Sequence, residues 1–248
     1  MVVGMSEPTI LATSGGLAPG VRTRLAVAPL FRHAVDLAGA DGTPRVCHVG
    51  TAGGDQAWFR GELDEAGRAA GLDLSHLNLF TMPNVDDVME HLLAQDVVWV
   101  GGGSVANLLA VWRVHGLDSI MHTVWEAGVV LSGVSAGSIC WHLGGTTDSF
   151  GPELRAVHDG LGLLPYANGV HYDSEPGRRP LMHSLVGSGE LPTAYCTDDG
   201  VGLVYRGTTM VEAVTEQRGK GAYLLTRGPD GESVVEERIE PRVLPGAR

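Results

Sequence analysis

The chain has 248 residues, 44% hydrophobic and 19% charged, a balance that suits a globular core, and no apolar run approaches the about 18 residues that a membrane-spanning helix needs. Its net charge of −12, from 17 Lys and Arg against 29 Asp and Glu, argues against nucleic-acid binding, which requires a basic face; an acidic ligand has to be met by a local basic cluster. Three cysteines, Cys47, Cys140 and Cys196, are odd in number and set in apolar surroundings, which fits reduced thiols in a cytoplasm and not a disulfide framework.

The opening MVVGMSEPTI has neither the basic nor the long apolar region of a secretory signal. Residues 1–145 then alternate short apolar runs with amphipathic stretches, the pattern of a parallel sheet with helices on both faces. Strands are predicted at 9–13, 45–50, 77–80, 97–100 and 129–132, with helices at 22–40, 56–70, 85–94, 105–114 and 119–127. In 105–114, Val105, Leu108, Leu109 and Trp112 recur at three- and four-residue spacing, and Ser104 is the predicted N-cap. Residues 145–177 are rich in Gly, Pro, Asp and Ser and read as long loops; 179–187 reads as a helix. From Thr193 the pattern is strand-like, at 194–197, 201–205, 209–214, 222–226 and 233–239, suggesting an antiparallel extension of the sheet. The expectation is one α/β domain over 1–248, with a frayed tail at 241–248.

The segment LSGVSAGSIC, residues 131–140, carries Gly133-Val134-Ser135-Ala136-Gly137 between a strand at 129–131 and a predicted helix at 139–143. Small residues flanking a serine at a strand-to-helix turn let the chain bend sharply and expose the hydroxyl as a nucleophile. The competing explanation is a turn small for packing reasons alone. GGGS at 101–104 also follows a strand and precedes a helix, which puts it at the carboxyl edge of the same sheet. Backbone N–H groups of Gly102, Gly103 and Ala136 are therefore the candidate oxyanion hole. A phosphate-binding role for this loop, or for TSGGLAPG at 13–20, finds no support in spacing: neither is Gly-x-Gly-x-x-Gly or a P-loop.

A serine nucleophile needs a base, and the base an orienting acid. Of the ten histidines, His33, His91, His115 and His122 fall in predicted helices, His48 ends a strand as a core residue, and His142 lies on the helix leaving the elbow. His171, in a loop-rich stretch, is the preferred base, with His158 and His183 behind it. TDDG at 197–200 offers Asp198 and Asp199 at a strand end. No histidine follows His183, which sets aside the Ser, acid, His order of α/β-hydrolases. There is no His-Glu-x-x-His, and no metal or cofactor is implied. Arg178 and Arg179 are the candidate cations for an acidic substrate, since guanidinium binds carboxylate bidentately.

Taken together, GGGSVANLL at 101–109, GVSAGS at 133–138, HYDSEPGRRP at 171–180 and TDDGVGL at 197–203 resemble the peptidase E (α-aspartyl dipeptidase) branch of the serine peptidases, which includes cyanophycinase. The resemblance runs from ILATSGG at 10–16 to about Val214. It implies a class I glutamine amidotransferase-like fold with serine at the elbow, Ser135 as nucleophile, His171 as base and the acid at Asp199. It also implies a small Asp-X dipeptide as partner, cleaved through an acyl-enzyme by a monomer or homodimer. The enterobacterial form has Asn-Pro before the histidine and Glu-Gly in the last motif, where this chain has Gly169-Val170 and Asp199-Gly200. Aspartate is the shorter acid, so Asp198 and Asp148 stand as alternatives. Cyanophycinase-like cleavage of β-aspartyl peptides and a non-catalytic ligand-binding module are the competing functions.

Overall fold

The structure is a computed structural model and describes residues 7–231 and 233–248; residues 1–6, part of the stretch read for a leader, lie outside the described residues. An eight-stranded sheet has the order β16-β13-β12-β1-β7-β6-β4-β5. Its parallel half comprises β1 (Thr9–Thr13), β4 (Arg45–Val49), β5 (Asp73–Leu77), β6 (Val97–Val100) and β7 (Val130–Val134). Next to β1, β12 (Val201–Arg206) and β13 (Thr209–Thr215) add antiparallel strands, and β16 (Arg242–Val243) pairs parallel with β13. A small hairpin, β2 (Leu17–Pro19) and β3 (Leu25–Val27), leaves the end of β1.

The central strands are nearly continuous apolar runs because both faces are covered. Successive side chains alternate between two cores. Leu11, Val46, Val97, Trp99 and Val130 pack with α1 (Pro29–Ala38). Ile10, Ala12, Val98, Val100 and Leu131 pack with α4 (Val105–Val114) and α5 (Leu117–Glu126). The helices α2 (Ala57–Ala70) and α3 (Val88–Leu93) complete the crossovers. As expected, the Ser104 hydroxyl caps α4, accepting from the Asn107 N–H at 3.2 Å.

The helix predicted over 22–40 starts only at Pro29, which occupies the first helical position; Ala28 before it is extended. The strand predicted at 77–80 lies earlier, at 73–77, because the N–H groups of Leu79 and Phe80 go to the Asp55 carboxylate and not to a neighbouring strand. After the elbow the predicted helix is one turn, α6 (Ala136–Ile139), and His142 belongs to the strand that follows.

That strand opens a second, six-stranded sheet, ordered β15-β14-β11-β10-β8-β9. It contains β8 (His142–Thr147), β9 (Arg155–Val157), β10 (Leu164–Gly169), β11 (Ala194–Thr197), β14 (Ala222–Arg227) and β15 (Val234–Ile239). About a third of the predicted 145–177 loop is thus strand, built where periodicity is interrupted by glycines at backbone crossings. A Cβ on Gly144 would lie 2.0 Å from the Val157 carbonyl oxygen, so glycine marks close strand approach here and not a turn. One face of this sheet meets the large sheet through Leu164, Tyr166 and Tyr205; the other packs on α7 (Arg178–Ser188) through Ala167, Met182, Val186 and Ala194. The tail expected to fray is tied down: Leu244 is buried, and the Arg248 N–H donates to the Glu216 carbonyl at 3.0 Å. No helix among the described residues is long and apolar enough to cross a membrane.

Candidate active site

The carboxyl ends of β1, β4, β6 and β7 lie side by side, and the loops leaving them form the site. Ser135 follows β7 with φ 57 and ψ −111, a conformation that costs a non-glycine residue about 1–3 kcal/mol. The two elbow glycines allow it. A Cβ on Gly133 would stand 2.5 Å from the Gly137 carbonyl oxygen, and one on Gly137 would stand 2.2 Å from that of Val100. Chain packing at the crossing therefore requires glycine at both positions, and the serine is forced outward between them. With only four residues, α6 has too few aligned peptides for a full macrodipole; the donors it offers are the first N–H groups, which have no intrahelical acceptor.

The GGGS loop runs beside the serine. A Cβ on Gly102 would lie 3.4 Å from the Ser135 Cβ. The Gly101 N–H donates to Val49 and that of Ser104 to Ala52, so the N–H groups of Gly102 and Gly103 lie between two anchored ends. Gly103 has φ 136, and its Cα presses on the Ala52 carbonyl, where a Cβ would come within 2.3 Å.

His171 stands beyond the end of β10, also at positive φ, 53. Its Nδ1 donates to Asp199 Oδ1 at 2.6 Å, which leaves the lone pair of a neutral ring on Nε2. The end of β1 ties His171 and Ser135 to one backbone. The Ser135 N–H donates to the Thr13 carbonyl at 3.1 Å, and the His171 N–H to the Ser14 hydroxyl at 3.3 Å. The short aspartate reaches the ring because its turn is clamped: the Asp199 N–H donates to Asp173 Oδ1 at 2.9 Å, and Lys220 pairs with the other oxygen of Asp173. Burial pulls the Asp173 carboxyl up, but the hydrogen bonds from Lys220 and Asp199 outweigh it and hold it below the usual range.

The alternative acids have other surroundings. Asp198 is buried and accepts from the Gly221 N–H at 2.8 Å and the Tyr223 hydroxyl at 3.3 Å; Asp148 lines an open groove with Glu153 and Glu175. Neither has a hydrogen bond to His171 among the described residues. Among the other histidines, His142 is fully buried between the Ser138 carbonyl and the Tyr205 hydroxyl. His158 and His183 pair with Glu190 and Glu236 at the surface.

Both arginines are already engaged. Arg178, a candidate cation for an acidic substrate, is only 2% exposed; its Nε meets Glu175 at 2.8 Å and its Nη1 the Thr146 carbonyl. Arg179 pairs with Glu236 and lies over the rings of Tyr172 and Tyr223, 5.2 and 4.9 Å from their centroids. A third cation escaped the sequence reading. Arg60, in the first turn of α2, lines a cavity of about 210 Å³ with His48, Gly50, Asp55, Phe59, Gly101 and Gly102; no carboxylate pairs with it among the described residues. The signal in the sequence was TAGGDQAWFR, a glycine turn after β4 at the same sheet edge as GGGS, carrying a carboxylate and then a cation. Among the described residues no cluster of three or more His, Cys, Asp or Glu side chains is arranged to hold a metal ion.

Comparison with known proteins gives the family of the chain. A curated relative, the uncharacterized peptidase YgaJ of Bacillus subtilis (strain 168), is 38% identical over 180 residues, covering 73% of this chain and 77% of its own. A peptidase from an acI-B1 actinobacterium shares the fold with a TM-score of 0.70 at 15% identity, covering 96% of both chains. A putative peptidase E protein from Listeria monocytogenes EGD-e does so with a TM-score of 0.58 at 17% identity, covering 95% of this chain and all of its own. The model of Peptidase family S51 matches residues 10–213, which include the elbow, the GGGS loop, His171 and Asp199. With the match spanning most of the chain, the protein belongs to Peptidase family S51.

Proposed function

We propose that the protein is a serine-type dipeptidase that cleaves peptides beginning with aspartate, through Ser135, His171 and Asp199. The observation that carries the reading is the 2.6 Å bond from His171 Nδ1 to Asp199, on a backbone shared with a serine held at φ 57. The neutral ring so oriented takes the Ser135 proton on Nε2 as the hydroxyl oxygen attacks the peptide carbonyl. The N–H groups of Gly102, Gly103 and Ala136 receive the oxyanion. His171 then gives the proton to the leaving amine, and water repeats the sequence on the acyl-enzyme. Asp199 keeps the ring in this tautomer and stabilises the imidazolium that forms.

For the aspartate side chain the supporting cation is Arg60, whose guanidinium has no carboxylate partner among the described residues and shares a cavity with Gly101 and Gly102; Arg178 and Arg179 have their charge matched by Glu175 and Glu236. The three cysteines are free and buried, and burial pushes the Cys47 thiol up to about 12. They take no part in this chemistry, and their reduced state suits a cytoplasmic enzyme. The test is a panel of dipeptides varying the first residue, with α- and β-linked aspartyl peptides compared, on wild type and Ser135→Ala. Hydrolysis confined to α-Asp-X and abolished in the variant is the expected result. Preferential release from β-Asp-Arg would give the cyanophycinase-like specificity instead, and undiminished activity of folded Ser135→Ala would refute the mechanism.

A further inference from the structure

The cavity that Gly102 lines holds two buried acceptors with no donor among the described residues. Asp55 is 7% exposed; its Oδ2 takes the N–H groups of Leu79 at 2.6 Å and Phe80 at 3.0 Å, while Oδ1 has no partner. His48 is 2% exposed, and its Nε2 has none either. The two converge: a Cβ on Gly50 would stand 3.1 Å from His48 Cε1 and 3.2 Å from Asp55 Oδ1, and one on Gly101 would stand 3.2 Å from His48 Nε2.

Counting protons outward from Asp64 gives the polarity of the histidine. The Asp64 carboxylate accepts from His76 Nε2 at 2.9 Å, so a neutral His76 carries its lone pair on Nδ1. His48 Nδ1, 3.1 Å away, is then the donor, and a neutral His48 presents a lone pair at Nε2. Burial, reinforced by His76 and Arg60, pushes His48 down to about 3, so the ring is neutral across the physiological range. A buried carboxylate oxygen left unpaired is costly, and the group that satisfies a carboxylate and an imidazole lone pair together is a cation with several N–H donors.

We infer that His48 Nε2 and Asp55 Oδ1 form a subsite for a primary ammonium group, which in the substrate is the free α-amino group of the residue whose carbonyl Ser135 attacks. The inference rests on the peptidase reading for that last assignment. Its placement follows from Gly102, which lines the cavity and also abuts Ser135; an amino terminus is separated from its own carbonyl by a single Cα. Arg60 at the same cavity complements a carboxylate on the residue that bears the ammonium.

The test is calorimetric binding to the full Ser135→Ala chain, which needs no turnover, using Asp-Leu, N-acetyl-Asp-Leu and N-acetyl-Asp-Lys. Asp-Leu is expected to bind about 30-fold or more tighter than its acetylated form, a charge-assisted contact to a buried acceptor being lost. In Ser135→Ala with Asp55→Asn the two affinities are expected to converge within about threefold. Asparagine can keep both backbone bonds, tolerates positive φ, and turns an N–H₂ toward the ligand. Asp64→Asn, at a position 44% exposed and so benign to folding, is expected to weaken Asp-Leu by about threefold or more, with no effect on the acetylated peptide, by releasing the His48 tautomer. Equal affinities for Asp-Leu and its acetylated form, no binding of Asp-Leu, or a preference that survives these substitutions would overturn the subsite. Binding of N-acetyl-Asp-Lys as tight as Asp-Leu would overturn the α-amino assignment. If wild type cleaves nothing while these binding differences hold, the triad reading fails and the ammonium site stands.

Discussion

Replacing Asp199 by asparagine asks which carboxylate serves His171. The bond is short, 2.6 Å, as expected for a charge-assisted pair, and the clamp from Asp173 to the Asp199 N–H uses backbone and survives the substitution. Asparagine has the right shape, but it has no charge for the imidazolium that forms as Ser135 loses its proton, and its amide can favour the wrong tautomer. In a serine triad this change lowers kcat by about 10⁴, or about 5.4 kcal/mol. The Asp199 side chain is 36% exposed, and solvent screening weakens its field on the ring, so the expected loss is nearer about 10³, or ~4 kcal/mol. Steady-state kinetics on an Asp-X dipeptide should put the loss in kcat, with KM within about threefold. Asp198→Asn is the comparison. The Asp198 partners are the Gly221 N–H and the Tyr223 hydroxyl, both of which an amide oxygen can accept, so kcat should stay within about threefold of wild type. Equal impairment of the two variants would refute the assignment of the acid and the clamp argument with it.

The arginines should separate by phenotype. Arg178→Ala removes a buried cation from Glu175 and the Thr146 carbonyl and should cost about 3 kcal/mol in urea unfolding. Arg60→Ala should leave stability within about 0.5 kcal/mol and raise KM for Asp-X by about tenfold, with little effect on Ala-X; the reverse pattern would move substrate binding back to α7. Acid should destabilise the fold through its buried histidines. Burial pushes His142 down to about 4 from 6.5 against the pull of the Ser138 carbonyl, and His48 to about 3. The unfolded chain therefore binds protons that the folded chain refuses. Stability is full above about pH 6.5 and falls toward pH 4 and below, by up to about 1.4 kcal/mol per pH unit per histidine. Urea titrations at pH 7 and 5 should show a shallower pH slope for His142→Gln, and an unchanged slope would contradict the burial argument.

The readable and unreadable parts of the fold differ in where their information lies. Strands β1, β4, β6 and β7 were legible as apolar runs because both of their faces are covered, and the elbow was legible because strand, small residues and turn are adjacent in the chain. In the second sheet β11, β14 and β15 were legible as strands, but β8, β9 and β10 were not. The missed strand β8 is interrupted by glycines whose reason is another backbone 2.0 to 2.1 Å from where a Cβ would stand, at Gly144 and Gly145, and no local pattern distinguishes that from a turn. The end of α6 went the same way: His142 is a strand residue because its partners are Ser138 and Tyr205, the second of them 63 positions away.

For the site, the elbow context made Ser135 the candidate nucleophile and the loop-rich stretch made His171 the candidate base, since both choices depend on residues near them in the chain. The choice among Asp199, Asp198 and Asp148 depends on which carboxylate a distant clamp at Asp173 and Lys220 turns toward the ring, and a sequence of three candidates carries no such vector. Arg178, Arg179 and Arg60 make the point for charge. As letters they are equivalent cations; burial against Thr146 and pairing with Glu236 engage two of them, and only the tertiary fold leaves the third without a carboxylate partner among the described residues, in the cavity that Gly102 lines.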